Sequence, residues 1–485
     1  MATILGANSV TGYEVANSIR FNAGDSAYLH KSQGSGNQRT FTISFWVKRS
    51  RLNDRQAIFS ATADGSNECF IWFDTNDELF VKENTSNSTN FEIRTNRKFR
   101  DVSAWYHIVV AVDTTDGTAA NRIKVYVNGV QESSFASSDY PDQNQNFDIN
   151  EDANDVYVGV RRNSGGSPAG YYDGYIAEAV LIDGSQLAAD QFGEFDSDSG
   201  IWKPIDVSGL TFGDNGFYLQ FKETGTSQNA SGIGADTSGN GNHVAVANIG
   251  ATNISTDTCT NNFATWNGLD FYHNATANTG STSTNGSLRF ANASGNKGFA
   301  RSTFAVSAGK WYWEIEANSV GKGFYGVCHE GIMVDGTALQ PSAIYYYEAV
   351  PDFRSGDQII TTNAVSISAG DILGFALDMD NYALYISKNG TYMNSGNPAS
   401  GSSRTGSIAE EFTNGRAVLS DFGSIFANVA NTSTSGALDA SANFGSPHYS
   451  ESGGNADGNG FGNFKTAPPS GYLALCTKNL GSTGG

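Results

Sequence analysis

Short apolar segments at the spacing of β-strands, with little helical periodicity between them, constrain this chain more than any other feature. In the first half, these segments alternate apolar and polar residues or are apolar throughout, and Asn, Asp, Gly or Ser bounds each one. They read SIRFN, TFTISFWVK, QAIFSA, CFIWFD, ELFVKEN, WYHIVVAVD, RIKVYVNG, DVYVGVRR and YIAEAVLID. The best helical candidate is the short segment Ser185–Phe192. Strands at this density without interleaved helices predict an antiparallel β-sandwich.

The second half repeats this pattern after a middle rich in glycine, serine and asparagine. Its predicted strands read SLRFAN, FARSTFAV, KWYWEIEAN, FYGVCH, AIYYYEAV, DILGFALDMD, YALYISKNG, RAVLSDF and ASANFG. We therefore predict an all-β chain of two antiparallel sandwiches. The predicted divisions are residues 1–202 for the first sandwich, 203–286 for an ordered linker, 287–446 for the second sandwich and 447–485 for a tail that docks on a sandwich. Scattered apolar residues such as Val244 and Trp266 imply that the linker packs along a domain.

Two hairpin-like stretches indicate that the halves share one architecture. Val109–Gly129 and Gly374–Gly390 each contain an apolar strand ending in Asp, a turn, and a second apolar strand ending in Asn-Gly. Asn-Gly favours a tight turn because both residues tolerate positive φ.

The charge of the chain excludes some classes of partner. There are 29 Lys and Arg against 49 Asp and Glu, for a formal net charge of −20. A field of that sign repels phosphate backbones and anionic lipid, so we expect neither nucleic-acid binding nor membrane insertion. No apolar run approaches the roughly 18 residues that a membrane-spanning helix needs.

The cysteines and the N-terminus both indicate synthesis in a reducing cytoplasm. The four cysteines are far apart in sequence and form no C-x-x-C pair, which predicts buried free thiols rather than a zinc or redox site. The opening residues MATILGANSV lack the basic start and apolar stretch of a signal peptide.

Glu314 and Glu316 form the strongest candidate for a catalytic pair. On a strand, residues two apart share a face and stand roughly 6.5–7 Å apart, a spacing within reach of glycosidase carboxylate pairs. The alternative is a half-buried structural strand. Sandwich-fold laminarinases place a further acidic residue between two glutamates, and this sequence has none there. No nucleophile elbow occurs, and the histidines are scattered, so we predict no catalytic residues and no enzyme.

No cofactor or metal site is predicted, with calcium left as an alternative at two acidic pairs. Asp378 and Asp380 share a strand face, and Asp113 and Asp116 lie in a similar turn. Carboxylates in such positions bind calcium or initiate hairpin turns, and we favour turns. His107 alternates as a structural strand residue does.

Two tyrosine clusters are the predicted ligand-binding residues. They consist of Tyr171, Tyr172 and Tyr175, and of Tyr345, Tyr346 and Tyr347. Tyrosine offers a flat apolar face with a hydroxyl, which suits a sugar ring or a protein neighbour. The alternative is that these tyrosines fill the core or seal a contact between domains.

Several motifs resemble known families. FTISFWVK, AWYHIVVAVD, KVYVNG and GYIAEAVLIDG resemble laminin-G-like domains of the concanavalin A-like class, and GKWYWEIEA, FYGVCHEG, GDILGFALDMDNYALYISKNG and ANFGSP resemble a SPRY domain. Their order, with DTSGNGN and TNNFATWN between them and PPSGYLALCTKNL at the end, resembles a virion protein common in marine phages. The resemblance implies two concanavalin A-like antiparallel sandwiches and a virion location after assembly in the host cytoplasm.

The resemblance implies a function without supplying catalytic residues. The expected protein is a non-enzymatic component of tail-fibre or spike type that contacts host surface glycans or proteins. An alternative is an architectural decoration or adaptor protein bracing capsid or tail, since no coiled-coil, collagen-like or β-repeat shaft is present. A third hypothesis is a glycan depolymerase. Expected partners are other virion proteins, further copies of the chain and a host surface glycan.

Overall fold

The chain forms two compact units in a computed structural model, Val10–Asn261 and Asn262–Gly485. The structure describes residues 12–62, 66–86, 88–162, 167–270, 272–273, 281–293, 297–330, 343–356, 358–408, 419–421, 423–431, 436–449 and 454–483. Both units are built from antiparallel sheets, which confirms the predicted all-β fold.

The described residues of the first unit form twenty strands. They are β1 (Ser18–Phe21), β2 (Tyr28–Ser32), β3 (Thr40–Arg49), β4 (Gln56–Thr62), β5 (Glu68–Phe73), β6 (Glu78–Thr85), β7 (Ser88–Lys98), β8 (Trp105–Asp113), β9 (Ile123–Val127), β10 (Val130–Gln131), β11 (Phe135–Asp139), β12 (Asp155–Val158), β13 (Arg161–Arg162), β14 (Pro168–Ala169), β15 (Gly174–Asp183), β16 (Gly193–Phe195), β17 (Trp202–Pro204), β18 (Phe217–Leu219), β19 (Ala245–Ala247) and β20 (Ile254–Ser255).

Two large sheets form the sandwich of the first unit. Sheet 1 has the order β10-β9-β8-β3-β15-β1-β20, with β18 also paired to β15, and sheet 2 has the order β11-β7-β6-β5-β4-β12-β2-β19. Alternate residues such as Phe45 on β3 and Ile71 on β5 point into one shared apolar core. A second apolar cluster, containing Trp46 and Trp202, packs on sheet 1. Sheet 1 is therefore apolar on both faces.

The segment for which we predict a linker supplies strands to the first unit. Strand β19 pairs with β2, and β20 pairs with β1. Asp257 follows β20, and its carboxylate lies 2.7 Å from the Lys48 ammonium group on β3, with both side chains buried. The Trp105 indole also donates to Asp257, at 3.2 Å. Farther along the segment, Trp266 is buried in the core of the second unit.

In the second unit, the part of the chain that the structure describes forms fifteen strands and one α-helix. They are β21 (Tyr272–His273), β22 (Ser281–Thr284), β23 (Arg289–Asn292), β24 (Gly298–Val306), β25 (Lys310–Ser319), β26 (Gly323–His329), β27 (Ala343–Tyr347), β28 (Asp352–Ser355), β29 (Gln358–Thr361), β30 (Ile372–Asp378), β31 (Ala383–Lys388), β32 (Thr391–Tyr392), β33 (Ile425–Asn431), β34 (Leu438–Asn443), β35 (Leu473–Ala474) and α1 (Thr477–Thr483).

These strands again form two sheets around one core. Sheet 3 has the order β21-β24-β33-β26-β27-β28-β29, and sheet 4 has the order β22-β23-β34-β25-β30-β31-β32. Strand β35 pairs in parallel with β25. A separate apolar cluster joins the tail residues Phe464 and Tyr472 to Tyr312 and Tyr385 of sheet 4. The tail therefore packs on the face of sheet 4 that is turned away from the core.

The helical segments of the described chain are short, and the α-helix lies outside the segment predicted to be helical. Within Ser185–Phe192, only Ala189–Gln191 is helical, as a 3₁₀ turn. The other 3₁₀ turns are Ala23–Asp25, Ala119–Asn121, Ala251–Asn253, Pro398–Ser403 and Leu419–Asp421. Leu419–Asp421 lies in RAVLSDF, a predicted strand whose other residues lie outside those described. Among the described residues, no helix has the length and apolarity needed to cross a membrane.

All four cysteines are free thiols. Cys69, Cys328 and Cys476 are buried, as expected, whereas Cys259 is half-buried.

Candidate functional site

A cavity of about 360 Å³ opens on the face of sheet 2 that is turned away from the core. We call it the sheet 2 cavity. Aromatic and cationic side chains dominate its lining, with one carboxylate among them. The lining residues are Arg55, Phe70, Trp72, Asp74, Thr75, Phe80, Lys82, Asn84, Arg94 and Arg161.

Strand β5 provides the aromatic floor because it is apolar on both faces. Ile71 and Phe73 point into the sandwich core, so the alternate residues Phe70 and Trp72 point outward. Both outward rings are buried, with Phe70 1% and Trp72 8% exposed. Because these two outward rings are so well buried, other side chains must cover them on the outer face of sheet 2.

Neighbouring strands supply those partners in register. Phe80 on β6 lies opposite Trp72, and Arg94 on β7 lies opposite Phe80. Lys82 lies opposite Phe70 on the same face. Directly opposed residues on antiparallel strands contact one another, so this register brings aromatic and cationic groups together.

Three arginines stack on the aromatic rings. The Arg161 guanidinium lies 4.5 Å from the Phe70 ring centroid and 5.0 Å from that of Trp72. Arg55 lies 5.2 Å from the Trp72 ring, and Arg94 lies 5.2 Å from the Phe80 ring. Stacking fixes each guanidinium plane and leaves its edge N–H groups free to donate.

The cations of the cavity differ in how completely they are neutralised. Arg161 makes a two-point ion pair with the buried carboxylate of Glu68. The Lys82 ammonium lies 3.6 Å from Glu92, and Arg94 Nε lies 4.0 Å from Glu78, both beyond hydrogen-bond length. Arg55 has no ion-pair partner within the described part of the chain.

Two buried donors of the cavity residues lack partners within the described part of the chain. They are the indole N–H of Trp72 and the Nε–H of Arg94. A buried donor without an acceptor costs about 1–3 kcal/mol, so such groups call for an explanation. An acceptor-rich ligand would satisfy them.

The predicted tyrosines of the first unit fall into two environments. Tyr172 and Tyr175 are buried, and the Tyr172 hydroxyl donates to the Lys48 carbonyl at 3.1 Å. Tyr171 is half-buried, with its ring 6.4 Å from that of Tyr28. Of this cluster, only Tyr171 therefore keeps part of its side chain accessible to a ligand.

Tyr171 belongs to an aromatic group on the same face of sheet 2 as the cavity. Tyr28 contacts the Tyr157 ring at 6.1 Å, and Tyr157 lies opposite Ser60, which lies opposite Phe70 of the cavity. Arg162 stacks on Tyr157, while its neighbour Arg161 stacks in the cavity. The β13–β14 hairpin thus contacts both groups.

The predicted tyrosines of the second unit are also mostly buried. The Tyr345 hydroxyl donates to the Gly356 carbonyl, and that of Tyr346 donates to the Val365 carbonyl at 3.0 Å. Tyr347 is half-buried and stacks on Phe324 with ring centroids 4.6 Å apart. Only Tyr347 of this cluster offers part of its ring to a ligand.

Glu314 has a structural environment. It is fully buried on β25, and its carboxylate accepts from the Lys465 N–H at 2.9 Å and from the Thr466 N–H and hydroxyl at 2.8 and 2.6 Å. Tyr312 and Asn443 also donate to it, at 3.1 and 3.3 Å. With both oxygens occupied in this way, Glu314 holds the tail on sheet 4. Glu316 is half-buried, and burial raises the pKa of its carboxyl.

His107 has the structural role that its alternation predicts. The Trp202 indole donates to Nδ1 of His107 at 3.0 Å, so the ring proton lies on Nε2 and is directed to the Ser44 hydroxyl at 2.9 Å. Burial lowers the pKa of His107 to about 3. A ring that already donates to the serine cannot remove its proton.

Three of the four carboxylates considered for calcium make turn hydrogen bonds, and the fourth, Asp380, accepts from the Gly309 N–H at 2.8 Å. Asp113 accepts from the Thr115 N–H at 3.0 Å, and Asp116 accepts from the Thr118 N–H at 2.7 Å. Asp378 accepts from the Asn381 N–H at 3.0 Å. In the described residues, no three His, Cys, Asp or Glu side chains are grouped so as to hold a metal ion.

The buried carboxyl group of Glu178 should make the folded protein less stable as the pH rises. Burial is the main cause that raises the pKa of its carboxyl to about 7 in the folded chain. The unfolded chain ionises first, above about pH 4.3, so the folded state loses about 3 kcal/mol of stability between that pH and pH 7. We expect Glu178→Gln to reduce this decline, measured by urea unfolding at pH 5 and pH 8. An equal decline in wild type and variant would contradict the assignment.

The sequence alone does not identify the cavity residues as a site. CFIWFD and ELFVKEN predict strands only, and Arg55, Arg94 and Arg161 lie in other segments. One signal was available, since a strand that is apolar on both faces needs a second surface to cover it. Nothing in the sequence pairs that surface with distant arginines.

Residues 21–190 match the family model described as the concanavalin A-like lectin/glucanases superfamily, Laminin_G_3. The matched residues lie within the first unit. The search of curated proteins found no match.

The chain is also similar to several solved structures. The SPRY domain of human HERC1 is 16% identical, with 32% of this chain and 87% of that chain covered, at a TM-score of 0.25. The heptameric SAP-like pentraxin of Limulus polyphemus is 17% identical, with 37% of this chain and 82% of that chain covered, at a TM-score of 0.29. Domain 4 of AbnA, an extracellular arabinanase of Geobacillus stearothermophilus solved with arabinotriose, is 22% identical, covering 32% and 64%, at 0.23.

Proposed function

We propose that the protein is a non-enzymatic saccharide-binding protein of a phage virion, of tail-fibre or spike type, that contacts host surface glycans. The observation that carries the binding function is the sheet 2 cavity, whose volume lies in the range of ligand pockets. The cationic donors held over its aromatic floor suit the oxygens of a saccharide. The lectin part of the matched family description is in keeping with this role.

The same family description also includes glucanases, but the cavity favours binding over cleavage. Glycoside hydrolysis uses two carboxylates about 5–9.5 Å apart. Asp74 is the one carboxylate in the cavity lining, and it accepts turn N–H groups from Asn76 and Glu78, both at 2.9 Å. The described lining thus lacks a second carboxylate to act as acid or nucleophile.

The binding function predicts a specific loss of affinity in Trp72→Phe. This change keeps an aromatic ring in the floor but removes the indole N–H and part of the stacking surface. We expect saccharide affinity, found on a glycan array and measured by calorimetry, to fall about tenfold or more, which is 1.4 kcal/mol. Tyr126→Phe, on the other sheet, is the matched control. Unchanged affinity in Trp72→Phe, or release of reducing ends by the wild type, would contradict the proposal.

An architectural role is the second candidate, and an exposed apolar corner of the first unit favours it. Val130, Phe195 and Ile201 are 56%, 52% and 38% exposed. Phe195 packs on the Trp202 ring, Ile201 precedes Trp202 in sequence, and Val130 follows Gly129, which lies against that ring. Apolar groups of this kind suit contact with a neighbouring virion protein. Imaging of virions at subunit resolution distinguishes the roles: a few copies projecting from the tail fit host contact, and many copies on the capsid or in a tail ring fit architecture.

A further inference from the structure

We propose that the sheet 2 cavity selects saccharides carrying a negative charge, as a carboxylate or a sulfate, over neutral saccharides of the same size. This inference rests on the proposed saccharide-binding function and adds the class of ligand. It is carried by the arrangement of cations around the aromatic floor.

The lining has more cationic than anionic groups that can face a ligand. Among the described lining residues, Arg55, Lys82, Arg94 and Arg161 border the cavity, against Asp74 alone. The oxygens of Asp74 are already used, since Oδ1 accepts two backbone N–H groups and Oδ2 lies 3.3 Å from the Asn76 amide. A neutral sugar needs donors and acceptors in comparable number, whereas this lining offers mainly donors.

Three of the four cations keep donors free for a ligand because their ion pairs are long or missing, whereas Arg161 is paired with Glu68. Lys82 and Arg94 stand 3.6 and 4.0 Å from their carboxylate partners, and Arg55 has no such partner in the described residues. The Nε–H of Arg94 is buried without an acceptor. Charge-assisted bonds from guanidinium to carboxylate or sulfate are about twice as strong as neutral ones.

Stacking holds these cations in place before a ligand arrives. Arg55 lies over the Trp72 ring, and Arg94 lies over the Phe80 ring, each at 5.2 Å. An arginine fixed in this way loses less side-chain freedom when it binds an anion. The aromatic contacts therefore serve as positioning contacts for the anion-binding groups.

The net charge of −20 favours a sparsely charged saccharide over a polyphosphate. Charges farther away than about 8 Å are largely screened at physiological salt, so a single anionic group inside the cavity interacts mainly with the cations around it. A long polyanion would extend beyond the cavity over an acidic protein surface and be repelled.

The test compares pairs of saccharides in which one member carries the anionic group and the other lacks it. Calorimetric titration of the full chain uses tetragalacturonate against its methyl ester for the carboxylate, and a sulfated galactan tetrasaccharide against its desulfated form for the sulfate. We expect at least one anionic member to bind at least tenfold more tightly than its neutral counterpart. That preference should shrink when the salt concentration is raised.

Variants assign the preference to the cavity. Arg55→Gln combined with Arg94→Gln should reduce the preference to less than threefold. Lys222→Gln, an exposed cation of the same unit outside the cavity, should change nothing. Circular dichroism verifies that each variant folds.

The outcomes separate this inference from the function on which it rests. Equal binding of charged and neutral saccharides, lost in Trp72→Phe, would overturn the charge selection and leave the saccharide-binding function standing. An anionic preference retained in the double arginine variant would overturn the assignment to this cavity. If none of the four probes bound and no saccharide on the array bound either, both the charge selection and the saccharide-binding function would be overturned.

Discussion

Replacing Glu314 by alanine is expected to lower the stability of the second unit by about 3 kcal/mol and to release the tail from sheet 4. Five donors point at this buried carboxylate, among them the backbone N–H groups of Lys465 and Thr466. The variant leaves these donors unsatisfied, and each buried donor without a partner costs about 1–3 kcal/mol. Urea unfolding and limited proteolysis of the tail measure the two effects.

Glu316→Ala is the matched control, two residues along the same strand. Glu316 is half-buried, so its loss should change stability by less than about 1 kcal/mol and leave the tail protected. If the two variants behaved alike, the special role of Glu314 would be refuted. Loss of a glycan-cleaving activity in folded Glu314→Gln would instead restore the enzyme hypothesis.

Replacing Asp257 by alanine is expected to destabilise the first unit by about 3–5 kcal/mol, since it leaves Lys48 buried without its carboxylate. The Trp105 indole loses its acceptor in the same variant. Thermal and urea unfolding of the full chain measure the effect.

The matched comparison removes both charges in Lys48→Met with Asp257→Leu. Replacing both partners of a buried ion pair by apolar groups is often neutral, so the double variant should recover most of the lost stability. A double variant as unstable as Asp257→Ala alone would mean that packing, rather than the unpaired charge, causes the loss.

The strands and tight turns of this protein were predictable because their causes are local. Period-two patterning identified β3 and β25 directly. The two Asn-Gly turns also formed as predicted, with φ of 47° and 79° at Asn128 and Gly129 and of 48° and 84° at Asn389 and Gly390. Such conformations depend on two neighbouring residues and need no knowledge of the rest of the chain.

The roles of the acidic residues were not predictable, because their partners are distant in sequence. Glu314 accepts from residues more than 150 positions away, and Asp257 pairs with Lys48 across 209 positions. The tyrosine clusters illustrate the same limit, since a tyrosine next to a strand end is buried or exposed according to what packs on it. Tyr346 and Tyr347 are adjacent, yet only Tyr347 is partly exposed.

The parallel pairing of β35 with β25 has a consequence for synthesis on the ribosome. Strand β25 leaves the exit tunnel long before Leu473 and Ala474 are translated, and so does Tyr312, which the tail later covers. During that interval the apolar outer face of sheet 4 is exposed to water. The exposure is prolonged because contacts between residues far apart in sequence form slowly. The nascent chain therefore passes through a stage in which a chaperone, or a second nascent copy, can bind the surface of sheet 4 that β35 and the tail later cover.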